Sequence, residues 1–327
     1  MRANWLVVTA AVSSVVAAGT LLSSGARAAD YPVKTVRFVI GFSAGGGTDI
    51  AGRILAQRLT EDLKQTFIVE NRLGASGIIG ADYVAKSPPD GYTLFIGSPT
   101  THSVVPQLLA KVPYHPLRDF SGVSELVYSP MLLVLHPSVP AKNIKDLVRL
   151  AKAHPGGLTY GSGGVGTTPH MAGELFKLAS GTTMLHIPYK GEAPAVVDLV
   201  AGQITLVFAN LPVALPHARS GRLRGIAMTS KERLKAAPDF PTVAESGVPD
   251  FEAGTWFGMF APKATPREIV AKLSADSKAA LSARTVEDKL AEMGYAVVAS
   301  NPVEFTRRME SEYEKWGRVI KQAGIKM

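Results

Sequence analysis

The chain has 327 residues, a formal net charge of +8 and no cysteine. No disulfide, cysteine–zinc site, lipidated cysteine or thiol nucleophile is therefore possible. Its 35 basic residues are scattered and its aromatics few, without the basic stripe that marks a nucleic-acid binder; the mild positive excess suits steering of small anions, and the length suits two domains.

In chain order, residues 1–28 read as a signal peptide. Arg2 gives the positive start, residues 5–22 are apolar or small without charge, and Ala26-Arg27-Ala28 is an A-x-A cleavage site. Cleavage is expected after Ala28, and losing Arg2 and Arg27 takes the net charge from +8 to about +6. No other uninterrupted apolar run is long enough to span a bilayer.

Strands and helices then alternate. Strands are predicted at 36–40, 67–70 and 92–97, with a helix at 50–63 and a second closing at 81–86, stopped by Pro88-Pro89-Asp90-Gly91. The order β-α-β-α-β predicts a parallel sheet with helices on both faces. The pattern recurs: strands at 131–135, 158–160, 184–189 and 204–208, helices at 144–153, 169–179 and 193–201. A strand at 256–262 leads back towards the first half, and the tail is helical at 266–282, 285–293 and 302–324. The fold class is α/β: two doubly wound domains, periplasmic-binding-protein-like, forming a flytrap cleft. Domain 1 is expected to hold 31–130 and 257–327, and domain 2 to hold 131–256.

Each half carries a glycine-rich loop between its first βα strand and helix. The first, Gly41-Phe42-Ser43-Ala44-Gly45, is a literal G-x-S-x-G, the nucleophile elbow of α/β-hydrolases. A hydrolase elbow follows several strands, one of them feeding an oxyanion loop; only one strand precedes Ser43. The loop also lacks the lysine of a phosphate-binding P-loop. The second loop, with Gly161, Gly163 and Gly166, matches G-x-G-x-x-G. The acid that would hold a ribose about 20 residues on is missing near His186–Lys190. What both loops share is glycine for close backbone approach and helix-start N–H groups that favour negative charge. Thr48 can cap the first helix, and Thr167 or Thr168 the second. His170 and Glu174 are spaced i, i+4, but two ligands without a third fit a capping or surface pair better than a metal site.

An ordered set of segments resembles the Bug-type (TctC-like) solute-binding receptors of tripartite tricarboxylate transporters. It comprises Ser43-Ala44-Gly45-Gly46 with Asp49, Val69-Glu70-Asn71-Arg72, Pro89-Asp90-Gly91-Tyr92-Thr93-Leu94, and Tyr160-Gly161-Ser162 with Gly166-Thr167 and His170. Pro188-Tyr189-Lys190-Gly191, Pro241-Thr242-Val243 and Glu245-Ser246-Gly247 complete it. The resemblance implies a periplasmic, non-enzymatic receptor, expected as a monomer, without cofactor or metal. It would capture a small organic carboxylate and deliver it to membrane transporter subunits on other chains. It implies ligand contacts, direct or through water, from Phe42, Ser43, Ala44, Gly46, Gly47, Thr48 and Asp49 at the first loop. Ser162, Gly163, Thr167, Thr168 and His170 supply those of the second, with Ser98, Thr100, Tyr189 and Asn210 completing the cleft. Leu73, Ser76, Ile78 and Thr205 depart from the family pattern. Glu192 stands where a small residue is usual; pointing into the cleft, it would repel a second carboxylate and welcome an amine or amide. The competing readings are a secreted serine esterase using Ser43 and a receptor serving in signalling.

Overall fold

The computed structural model describes residues 31–325 apart from 110, 235 and 324; the expected signal peptide lies outside them. Three parallel strands open the fold. β1 (Val36–Ile40) lies between β2 (Phe67–Asn71) and β3 (Thr93–Gly97). β9 (Gly254–Pro262) then pairs antiparallel with β3 and with the first part of β4 (Phe120–Leu135), where Tyr128 faces Trp256. β10 (Ala296–Val297) joins the same part of β4 at Val127 and Tyr128.

At residues 130 and 131 β4 changes partners. Its residues 120–130 pair with β9, whereas 131–135 lie between β7 (Leu206–Asn210) and β8 (Arg224–Met228). β7 continues in parallel to β5 (Thr159–Ser162), and β5 to β6 (Leu185–Pro188). One sixteen-residue strand thus runs through both halves of the sheet. The expected parallel order holds for β1–β3 and for β5–β7. The strands that cross between the halves, β4 and β9, are antiparallel to their neighbours because the chain leaves one half and later returns.

Period-two alternation explains the continuous apolar runs in the sequence. Phe38, Ile40, Leu94 and Ile96 enter a core with Leu55 and Leu59 of α1 (Gly47–Leu63) and Leu273 of α8 (Arg267–Leu281). Val39 and Phe95 face the opposite way, towards Val84 of α2 (Ile78–Ala85) and Phe305 and Met309 of α10 (Pro302–Ala323). In the second half, Met131, Leu133, Leu135 and Phe208 pack with Leu147 of α4 (Ile144–Ala153) and Phe176 of α5 (Thr168–Ser180). Leu132, Val134 and Val207 pack on the other face with Leu199 of α6 (Glu192–Val200) and Ala214 of α7 (Leu211–Arg219). α9 (Arg284–Glu292) adds Val286 and Leu290 to the first core, and α3 (Val105–Leu108) follows a wide π-type turn at Thr100–Val104. Phe305 docks α10 by lying on Gly258, where an added Cβ would come within 2.1 Å of its ring. Burial of such an aromatic is the kind of contact whose deletion costs about 3–5 kcal/mol.

The differences from expectation have identifiable causes. Residues 120–130 were not foreseen as strand, since Gly122, Ser124 and Glu125 interrupt the apolar pattern and two register shifts bend the pairing. α7 was missed because it holds Pro212 at its start and Pro216 inside. α1 begins three residues before the predicted 50, so Thr48 lies inside the helix; its N-cap is Gly46, without a side-chain bond. Thr167 is the N-cap residue of α5, but its hydroxyl caps no helix N–H and donates to the Gly164 carbonyl instead.

Candidate ligand-binding site

Both glycine loops end in helices whose first turns carry no side-chain cap. The N-termini of α1 and α5 approach one cavity from opposite halves of the molecule. Its interior is small, about 40 Å³. Phe42, Gly46, Gly47 and Thr48 line it from the first loop, and Gly163, Thr167, Thr168 and Pro169 from the second. Ser98 and Thr100 reach it from the end of β3, Asn210 from the end of β7, and Thr255 and Phe257 from β9. Glu192, the first residue of α6, completes the wall.

The cavity is rich in groups awaiting partners. The Thr168 hydroxyl, the Asn210 Oδ1 and the Thr255 hydroxyl are each buried without a hydrogen bond, on residues no more than 4% exposed. Buried polar atoms are nearly always satisfied. Three orphans lining one cavity mark a place made for a polar occupant.

Glu192 is the one ionisable residue in the wall. Its Oε1 accepts from the Asn210 backbone N–H, and its Oε2 accepts from Asn210 Nδ2 at 2.9 Å. A longer bond, 3.4 Å, reaches Oε2 from the Gly47 N–H across the cleft. The carboxylate thus sits at the N-terminus of α1, where the helix dipole favours it. Burial nevertheless pushes its pKa up to about 7, against the pull of the three N–H donors. Tyr295 fixes the same turn by donating to the Gly47 carbonyl at 2.6 Å.

Ten of the expected ligand contacts line the cavity: Phe42, Gly46, Gly47, Thr48, Ser98, Thr100, Gly163, Thr167, Thr168 and Asn210. The other six stand behind or beside it. Asp49 accepts from Gly45 N–H, Arg53 and Asn71, while Asn71 also holds the Phe42 carbonyl. Burial works against its ionisation, but those bonds together hold its pKa below the ordinary carboxylate value. Ser162 bonds His186 Nε2 at 2.6 Å and the Gly164 backbone. His170 Nδ1 accepts from the Gly166 N–H, and its ring stacks near His186 at 4.0 Å. Burial pushes His170 down to about 4 and His186 down to about 3. Both rings are neutral braces of the second loop at neutral pH. Tyr189 turns aside to donate to Asp198 at 2.8 Å. Ala44 is exposed at the first loop's tip.

Ser43 faces the Gly191 backbone of the other half. Gly191 has φ +156°, and an added Cβ there would come within 2.0 Å of Ser43 Oγ and 2.9 Å of its nitrogen. Among the described residues the Ser43 hydroxyl has no hydrogen-bond partner, so it is not paired with a base as an activated serine nucleophile is. Besides this contact and the Gly47–Glu192 bond, the halves also meet where Ser76 Oγ donates to the Val165 carbonyl at 2.6 Å. The cleft is drawn shut.

Sequence reasoning did not name Pro169, Thr255 or Phe257, and left the direction of Glu192 open. Thr255 and Phe257 carry no motif. The signal that could have found them is topological: β9 returns between the halves, and a crossing strand passes the cleft floor.

Fold and cavity define a two-lobed, periplasmic-binding-protein-like receptor. The chain belongs to the tripartite tricarboxylate transporter receptor family: residues 51–325 match the family described as "Tripartite tricarboxylate transporter family receptor". Protein BugT of Bordetella pertussis is 35% identical over 318 residues, covering 97% of this chain and 98% of that protein. The R. palustris protein Rpa4515, solved with adipate, superposes with a TM-score of 0.89 at 38% identity, covering 91% of this chain and 99% of the other. MatC from Rhodopseudomonas palustris, solved with bound malate, gives 0.85 at 32% identity, covering 89% and 100%. The chain is thus a solute-binding receptor.

Proposed function

We propose that this receptor is exported to the periplasm after cleavage at Ala28. There it closes two lobes over a small organic carboxylate and delivers it, as a monomer, to transporter subunits in the membrane. The carrying observation is the pair of helix N-termini, α1 and α5, converging on one cavity lined by unpartnered polar atoms. Such termini bind anions through free N–H groups and the helix dipole. The adipate and malate held by its relatives support a carboxylate as ligand. Residues 31–130 with 257–327 would move as one lobe and 131–256 as the other, a division supported by the partner switch of β4 at 130/131. Closure follows from tighter binding to the shut form. The ten cavity-lining residues named above make the contacts. Ser43, Ala44, Asp49, Ser162, His170 and Tyr189 act by shaping the loops and the lobe contact. The protein binds and releases its ligand unchanged and is not an enzyme.

Thermal unfolding of the mature protein, refolded to strip bound ligand, tests this against mono-, di- and tricarboxylates, amino acids and aromatic acids. A ligand at 100 times its Kd adds about 2.7 kcal/mol, or several degrees at roughly 2–4 °C per kcal/mol. A selective rise in Tm is expected. A flat response across the whole panel would overturn the proposal.

A further inference from the structure

Resting on the receptor reading above, we infer that Glu192 makes this site select a monocarboxylate bearing a hydrogen-bond-donating group, an ammonium or a carboxamide, over a dicarboxylate of the same length. The argument begins with what the two helix starts have left to offer. At α1, the Glu192 carboxylate already sits against the Gly47 N–H. At α5, the Thr167 side chain is turned to Gly164 and caps nothing. Thr168, 1% exposed, presents an unpartnered hydroxyl to the cavity. The open anion cradle is therefore the one at α5, and a ligand carboxylate goes there.

The polarity of the wall beyond that cradle is set by Asn210. Its side-chain amide has two ends, and Glu192 decides which faces where. Ionised, the Glu192 carboxylate only accepts, and the Nδ2 end turns to its Oε2 at 2.9 Å. The Oδ1 end is left as a buried acceptor with no partner. The cavity wall thus also shows the ligand two acceptors, Asn210 Oδ1 and the Glu192 carboxylate, beside the hydroxyl of Thr255, which can serve either way. A second carboxylate there would meet acceptors and a like charge in a buried site, where screening is weak. An ammonium or carboxamide supplies the missing donor. The raised pKa of Glu192 fits the same view: the carboxylate is buried without a compensating positive charge, and a cationic group would provide one. No Lys or Arg lines the cavity to do so instead.

The test is calorimetric titration of the ligand-stripped protein with three matched series of three to six carbons: dicarboxylates, their monoamides and the ω-amino acids of equal length. Wild type is expected to bind at least one monoamide or ω-amino acid tenfold or more tightly than its dicarboxylate partner. In Glu192→Gln the charge is gone, and Asn210 is free to turn its donor end to the cavity. That variant is expected to lose the preference or reverse it, with Glu192→Ala as a second variant should the glutamine form fail to fold. A dicarboxylate that binds wild type as tightly as its amide and amino counterparts would overturn this inference while leaving the receptor reading intact. So would an unchanged preference in both variants. Failure of every carboxylate, in wild type and variants alike, would sink the receptor reading itself.

Discussion

The two glycine loops look alike in sequence and are put to different use. The first opens α1 and has its helix start taken up by a side chain from the other lobe, Glu192. The second opens α5 and is braced from within: Ser162 on His186, His170 on the Gly166 N–H, Thr167 on Gly164. The same local motif therefore yields a half-filled anion site in one lobe and an open, rigid one in the other. What decides the difference is tertiary: which residue the closed cleft brings opposite each helix start.

The strongest way to break this comparison is to keep the first loop from meeting its partner. Gly191→Ala would place a methyl within 2.9 Å of the Ser43 backbone nitrogen, at a φ of +156° that disfavours any side chain. The clash runs between lobes, so opening the cleft relieves it. Ligand affinity measured by calorimetry is expected to fall by about 100-fold, equivalent to roughly 2.7 kcal/mol of binding energy. The ligand-free Tm should fall far less. Equal losses in both would show that the contact is part of one lobe's own stability rather than of closure.

A smaller effect is expected at the open cradle. Thr168→Val removes a buried hydroxyl that lines the cavity with no hydrogen-bond partner among the described residues. A net hydrogen bond contributes about 0.5–1.5 kcal/mol, so ligand affinity should drop about 2- to 10-fold. The ligand-free protein loses nothing that was paired, and its Tm should hold or rise slightly. A fall in Tm with affinity unchanged would mean that the hydroxyl serves the fold of α5 and not the ligand.

How much of this was legible in the sequence depends on the range of the interaction. The apolar runs of 36–40, 93–97 and 131–135 declare strands buried on both faces, because each residue's face is set by its immediate neighbours. The loop–helix junctions are equally local and legible as glycine turns with candidate caps at Thr48, Thr167 and Thr168, while their residues' ligand contacts came with the family resemblance. Ser98, Thr100 and Asn210, at strand ends, came only with the family resemblance. The crossing strand was not legible over 120–130, where burial of Ser124 and Glu125 depends on partners 130 or more residues away, including Ser300, whose hydroxyl accepts from the Glu125 N–H. Thr255 and Phe257 were lost with that crossing geometry. Glu192 stood out as a departure from the family pattern, but only the closed cleft shows its carboxylate turning to Gly47 and Asn210 rather than to solvent.

The mildest substitution separates two readings of the same five residues, Gly41 to Gly45. If the G-x-S-x-G loop is a backbone cradle, Ser43→Ala removes a hydroxyl that bonds nothing, and deletion of an unpaired buried polar group is close to neutral or slightly stabilising. Ligand affinity should stay within about twofold of wild type, well under the 1.4 kcal/mol that a tenfold change represents, and the protein should turn over no chromogenic ester before or after the change. Ester turnover in wild type that disappears in Ser43→Ala would establish Ser43 as a nucleophile. A tenfold loss of affinity without turnover would move Ser43 from the lobe contact into the ligand's own shell, and the first loop would then grip by side chain as well as by backbone. Persistence of full affinity would place the selectivity of the α1 side with the residue that faces the loop from the other lobe, Glu192, and not with the loop itself.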